Sequence, residues 1–212
     1  MYLAITTRPD IAYAAGVLAR FNSNPGQAHW QAAKHVLQYL KGTMDQKLVY
    51  LPSTLPEPFI TYSDADHGGN PDNGKSTGGF VVKMGSGAVS WSSKLQPLVA
   101  LSTTEPEHIS AFEAGNEILW MCQFMGELGY TISGPSMLRM DNQSAIAVSK
   151  NLEHHSKMKH LSLCLFWLMD AVQDGLIALT FVATQEMAAD IFTKALERSK
   201  PQNCAQMLGL FS

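Results

Sequence analysis

The sequence predicts an α/β fold, a mixed sheet with helices packed on its faces. Three observations predict it. Residues 59–63, 79–84 and 88–92 are short β-prone runs separated by Gly, Asn, Asp and Pro turns, the texture of a three-stranded antiparallel meander. A long helical segment follows, from Thr103 or Thr104 to about residue 128, with Pro106 tolerated in its first turn. Two further β-prone runs, 137–140 and 177–182, then alternate with helical segments. The order is βββαβα(α)βα, five strands in all.

Taken in order, residues 1 to about 50 read as helical. One helix starts near Arg8-Pro9-Asp10, carries Ile11, Ala14, Val17, Leu18 and Phe21, and stops at residues 22–26. A second carries Trp30, Ala33, Val36, Leu37 and Leu40 and ends at Gly42. Neither contains a constellation of reactive side chains, so the segment reads as a structural appendage. The proline-rich stretch 51–58 reads as a linker, because proline blocks both helix and central strand. After the meander and long helix, a short helix is expected from Gln143, a longer one over 156–172, and a last one over 187–198.

The chain has 212 residues, of which 46% are hydrophobic and 16% charged, enough apolar material for a core. Its formal net charge of −3 argues against a general nucleic-acid coat protein, which needs a basic surface. Cys122, Cys164 and Cys204 are odd in number and lack a C-x-x-C pair, which favours a reducing compartment. No secretion signal or membrane-length apolar run is present, so the expected location is intracellular, cytoplasmic or nuclear.

The predicted chemistry lies in carboxylates at element ends. The run Ile60-Thr61-Tyr62-Ser63 delivers Asp64 to a strand terminus, and residues 137–140 deliver Asp141. Ligands of open α/β sheets collect beyond the carboxyl ends of parallel strands, so these two acids are expected to meet. On the long helix, residues 107, 111, 114, 118, 121, 125 and 128 form a stripe facing the sheet, with Glu107 at its head. Glu105 is rotated about 200° away on a 3.6-residue helix, so Glu107 is the expected partner. Asp190 is a fourth candidate. Acids crowded this closely repel unless divalent cations compensate them, and two such ions activate a water and stabilise the leaving oxygen of a phosphodiester.

Several stretches carry a resemblance. Tyr62-Ser63-Asp64-Ala65-Asp66, Lys75-Ser76-Thr77-Gly78-Gly79, Ser90-Trp91-Ser92-Ser93-Lys94, Leu101-Ser102-Thr103-Thr104-Glu105-Pro106-Glu107, Asp141-Asn142-Gln143-Ser144-Ala145-Ile146 and Ala189-Asp190-Ile191-Phe192-Thr193-Lys194 resemble the ribonuclease H domain of copia-type LTR retrotransposon polyproteins. Thr7-Arg8-Pro9-Asp10-Ile11 and Tyr39-Leu40-Lys41-Gly42-Thr43 resemble the end of the preceding reverse transcriptase. The resemblance implies a ribonuclease H-like fold over residues 58–212, preceded by a helical reverse transcriptase remnant and linker over 1–57. It implies hydrolysis of the RNA strand of RNA/DNA hybrids with two Mg²⁺ or Mn²⁺ ions. Asp64 is then expected to bridge both ions, Glu107 and Asp141 to bind one, and Asp190 the other. Ser102, Thr103, Asn142 and Gln143 belong to the same motifs and are expected at the nucleic-acid face.

The departures from the family are specific. His67 stands where tryptophan is usual, Pro106 and His108 where alanine and tyrosine are, and Leu161-Ser162-Leu163-Cys164 replaces a segment with an acid and a base. The alternative reading is a domesticated, nuclease-dead module that binds nucleic acid or protein. An integrase-like activity fits less well, since its glutamate comes last in the acid order.

Other signals are weaker. Residues 64–75 superficially resemble a calcium loop, but Gly68 and Lys75 occupy ligand positions, and a turn explains them better. Lys157, Lys159 and His160, with His154, His155 and Lys150, form a basic cluster suited to phosphate contact. Trp91, Trp120 and Trp167 read as core, and the eleven methionines as packing.

Overall fold

The structure is a computed structural model that describes residues 1–52, 59–150, 162–195 and 200–211. Strands β2 (Phe59–Ala65), β3 (Thr77–Met84) and β4 (Gly87–Leu95) form the antiparallel meander. β5 (Ser136–Met140) lies parallel to β2, and β6 (Ile177–Phe181) parallel to β5, giving the order β4-β3-β2-β5-β6. The expected mixed sheet of five strands is therefore present. Each strand begins or ends one to three residues from its expected bounds, because pairing continues past the β-prone residues into Thr77, Gly78 and Leu95.

Alternation along β2 divides the packing. Phe59 points to one face with Phe80 and Val82, where α4 (Thr104–Glu127) lays down Ala111, Ala114 and Ile118. Helices α5 (Gln143–Lys150) and α6 (Ser162–Gln173) complete that core with Ala145, Ile146 and Leu168. Ile118, Leu138 and Leu168 are fully buried, each worth about 1.5–3 kcal/mol relative to exposure. Tyr62 and Val81 point to the opposite face, covered by Met187, Ile191, Phe192 and Leu208.

The N-terminal residues also cover this second face. They form α1 (Tyr2–Thr6), a 3-10 turn (Pro9–Ile11), α2 (Ala12–Ala19) and α3 (Gln27–Gly42). Ala12 packs on the second core, and the Trp91 indole N–H donates to the Ala4 carbonyl at 2.7 Å. Two strands too short to leave a sequence signal, β1 (Lys47–Leu48) and β7 (Leu210–Phe211), pair antiparallel after α7 (Lys200–Met207). Two motifs that are far apart in sequence form one network. Arg8 donates bidentately to Asp10 at 2.9 and 2.7 Å and also to Thr43, while the Tyr39 hydroxyl donates to Asp10 at 2.7 Å. A buried guanidinium is thereby matched by a carboxylate and two further oxygens.

Four expectations are corrected or lie outside the described residues. Within the last helix expected over 187–198, residues Ala188–Phe192 form a 3-10 segment with all five side chains buried, while 196–198 lie outside the described residues. It docks as a plug between the sheet and α7, so residues 188–192 present no solvent face of an amphipathic helix. Trp120 is 54% exposed and stacks on Phe124 instead of entering the core, because it lies about 200° around α4 from the buried Ile118. Most of the expected linker, and the start of the helix expected from 156, lie outside the described residues. Among the described residues, no helix is long and apolar enough to cross a membrane.

Candidate metal centre

The parallel pairing of β2 and β5 brings their carboxyl ends side by side, and α4 starts beside them. Asp64, Glu107 and Asp141 offer oxygens that all lie within 4.8 Å of one another. Asp64 and Glu107 are buried, while Asp141 is half-buried and accepts a 2.9 Å hydrogen bond from the Thr184 hydroxyl. Glu105 turns away, and its carboxylate accepts the Leu101 N–H at 2.6 Å, latching the loop before α4. This is the division of roles that the rotation between positions 105 and 107 predicts.

Asp190 stands apart from this trio. Its carboxylate is held by the Lys194 ammonium at 2.8 Å, and the same ammonium lies 3.9 Å from Asp64 Oδ2. The Thr193 hydroxyl donates a short hydrogen bond to Asp64 Oδ2. Asp190, Thr193 and Lys194 share one side of the turn because they are spaced i, i+3 and i+4. Thr184, Thr193 and Lys194 are the site neighbours that sequence reasoning missed. For Thr193 and Lys194 that spacing was the available signal.

Two glycines make the approach of this turn possible. Gly79 is the cross-strand partner of Asp64, and a Cβ there would sit 2.5 Å from Phe192 Cβ and 3.1 Å from Thr193 Cγ2. At Gly78 a Cβ would sit 2.4 Å from Ser110 Oγ, so the neighbouring glycine admits α4. Gly79→Ala is expected to displace residues 192–194 and to cost about 1–3 kcal/mol of stability by overpacking. Thermal denaturation checks this, and an unchanged midpoint would contradict it.

Crowding and burial set the electrostatics. Burial, reinforced by Asp64 and Asp141, pushes the Glu107 carboxyl up to about 9, against the Ala65 N–H and Lys194. Burial raises Asp64 to about 6, opposed by Lys194 and Thr193 and assisted by Asp190 and Asp141. For Lys194, burial acts downward, but Asp64, Asp190 and Asp141 outweigh it and hold the ammonium above its usual 10.5. Glu107 Oε2 is buried and has no hydrogen-bond partner among the described residues. Beside it, burial lowers His108 to about 4, leaving a neutral ring whose Nδ1 lies 3.3 Å from Ser149 Oγ and joins α4 to α5.

The remaining expected contacts sit at the rim. Ser102 and Thr103 are exposed before α4, and Thr103 occupies the N-cap position without a capping side-chain bond. Asn142 Oδ1 accepts the Ala145 N–H at 3.0 Å at the start of α5, and Gln143 is exposed. Lys157, Lys159 and His160 lie outside the described residues. His67 is exposed, and Asp66 accepts N–H bonds from Thr77 and Gly69, so both serve the β2–β3 turn.

The chain is 42% identical over 213 residues to the retrovirus-related Pol polyprotein from transposon TNT 1-94 of Nicotiana tabacum, covering 100% of this chain and 16% of that polyprotein. The chain belongs to the copia-type retrotransposon Pol family.

The matched stretch of this copia-type Pol sequence carries the α/β domain with three antiparallel and two parallel strands. A shorter relative, secreted RxLR effector protein 161 of Plasmopara viticola, is 45% identical over 121 residues, 57% of this chain and 84% of that protein. Among solved structures, LC11-RNase H1 in complex with RNA/DNA hybrid is similar with a TM-score of 0.45 and 18% identity, over 64% of this chain and 93% of that one. No protein-family model matches the chain.

Proposed function

We propose that this chain is a divalent-metal-dependent endoribonuclease that hydrolyses the RNA strand of RNA/DNA hybrids. The observation that carries the reading is the trio Asp64, Glu107 and Asp141, two of them buried, with Glu107 Oε2 lacking a donor among the described residues. An all-oxygen anionic set of this kind suits Mg²⁺ or Mn²⁺, and the site residues present therefore fit the ion. The copia-type relationship supports the choice of nucleic acid as substrate. In this reading residues 58–212 are the nuclease and 1–57 the helical connection to a reverse transcriptase.

When bound, the ion supplies a nucleophile at neutral pH and charge stabilisation at the scissile phosphate. The chain's own part is positioning. Strand ends β2 and β5 fix Asp64 and Asp141, and the first turn of α4 fixes Glu107, so the donors need little reorganisation. The Thr193 hydroxyl orients Asp64, and Thr184 orients Asp141. Ser102, Thr103, Asn142 and Gln143 at the rim are placed to meet sugar and phosphate.

The test compares labelled RNA/DNA hybrid, single-stranded RNA and duplex RNA in Mg²⁺ or Mn²⁺, with Asp141→Asn beside the wild type. Cleavage confined to the hybrid and lost in the variant is expected. Equal RNA survival for both proteins would overturn the nuclease, and tight hybrid binding without cleavage would favour the nuclease-dead binding module.

A further inference from the structure

The expected pair of ions required Asp190 to hold one of them. The geometry leaves Asp190 outside the trio whose oxygens lie within 4.8 Å of one another and gives it a cation already, the Lys194 ammonium at 2.8 Å. The same ammonium lies 3.9 Å from Asp64 Oδ2, the oxygen that also receives the Thr193 hydroxyl. Lys194 is not a loose surface residue that strays there. Its backbone N–H bonds to Asp190 O at 3.3 Å, and the side chain borders a cavity of about 440 Å³ lined by Ile11, Ala14, Val17 and Tyr39 from the N-terminal helices. Phe192, two residues back, is locked under Ser93, whose hydroxyl donates to its carbonyl at 2.6 Å.

We propose that Lys194 is a tethered counter-cation. Without nucleic acid, its ammonium fills the second cation place between Asp64 and Asp190, and the centre takes up a single divalent ion through Asp64, Glu107 and Asp141. The inference rests on the metal-centre reading above and deepens it. The physical reason is charge balance. An ion entering beside Asp190 must face a positive charge at contact distance, a repulsion that the partly exposed site screens only in part. Once the ammonium is removed, Asp190 and Asp64 become two close carboxylates without a counter-charge, which is the condition that recruits a divalent cation.

Counting ions tests this. Metal-free protein at fixed pH, without nucleic acid, is titrated with Mn²⁺ while the free ion is followed by its electron paramagnetic resonance signal. Wild type and Lys194→Arg are expected to bind about one ion tightly. Lys194→Met keeps the stem, removes the charge, and is expected to tighten the second ion by roughly tenfold or more. The side chain is 42% exposed, so the substitution is not expected to unfold the protein, and circular dichroism checks that. Two ions of similar affinity in wild type, or an unchanged second affinity in Lys194→Met, would overturn the counter-cation while leaving the metal centre standing. No ion bound by any of the three proteins would overturn the metal centre itself, and the counter-cation with it.

Discussion

Asp64→Asn lowers cleavage of the RNA strand of a hybrid by about 10²–10³-fold or more, the cost of losing one preorganised charge at a reacting phosphate. The fold survives. Asparagine keeps the shape of the side chain, and its amide oxygen still accepts the Thr193 hydroxyl that Asp64 Oδ2 accepts now. One of the repelling carboxylates beside Glu107 and Asp190 disappears as well, so the metal-free variant is expected to be at least as stable as wild type. Initial rates on a labelled hybrid, read beside thermal denaturation, separate the two effects. A variant that retains activity within tenfold would remove Asp64 from the reaction.

Glu107→Gln produces the second large effect, and it is visible without any substrate. In the metal-free folded protein Glu107 is raised from 4.5 to about 9, chiefly by burial. Between those values the folded state holds a proton that the unfolded chain releases, so stability is full below about pH 4.5 and is lost as pH rises towards 9. The loss has a slope of up to about 1.4 kcal/mol per pH unit. Glutamine cannot ionise, so the variant is expected to keep its melting temperature between pH 6 and 9 while wild type falls. Added Mg²⁺ restores wild type by mass action, because the bound ion favours the ionised, folded state. It restores little in the variant. Parallel melting curves for the two metal-free proteins would contradict the assignment of Glu107 to a buried position crowded by Asp64 and Asp141.

The sequence made the sheet and most of the acid cluster legible because both depend on local rules. A β-prone run ending in Asp64, a strand ending in Asp141, and the rotation that separates Glu105 from Glu107 are readable from spacing alone. The segment 188–192 was not. It is buried on all sides against the sheet, Ser93 and α7, so its apolar residues carry no period that distinguishes a helix from a plug. Its place depends on Gly79, and a glycine's missing side chain leaves no pattern until the neighbour that needs the space is known. The role of Lys194 was hidden for a similar reason. A lysine four residues after an aspartate is an ordinary helix-face pair, and only the tertiary approach to Asp64 makes it part of the centre. Trp120 misled in the opposite direction, because an apolar residue in a helical pattern reads as core even where its angle, about 200° from the buried Ile118, puts it on the outer face.

The central claim is that carboxylates on β2, on α4 and at the end of β5, two of them buried, form a divalent-cation centre for RNA cleavage, and one measurement addresses it most directly. Purified protein is stripped of metal, mixed with a hybrid labelled on its RNA strand, and followed before and after Mg²⁺ is added. Intact RNA before addition and cleaved RNA after it are expected, with Glu107→Gln inert in both phases. Cleavage that proceeds without metal, or a wild type that binds the hybrid yet leaves its RNA intact at any Mg²⁺ or Mn²⁺ concentration, would contradict the account.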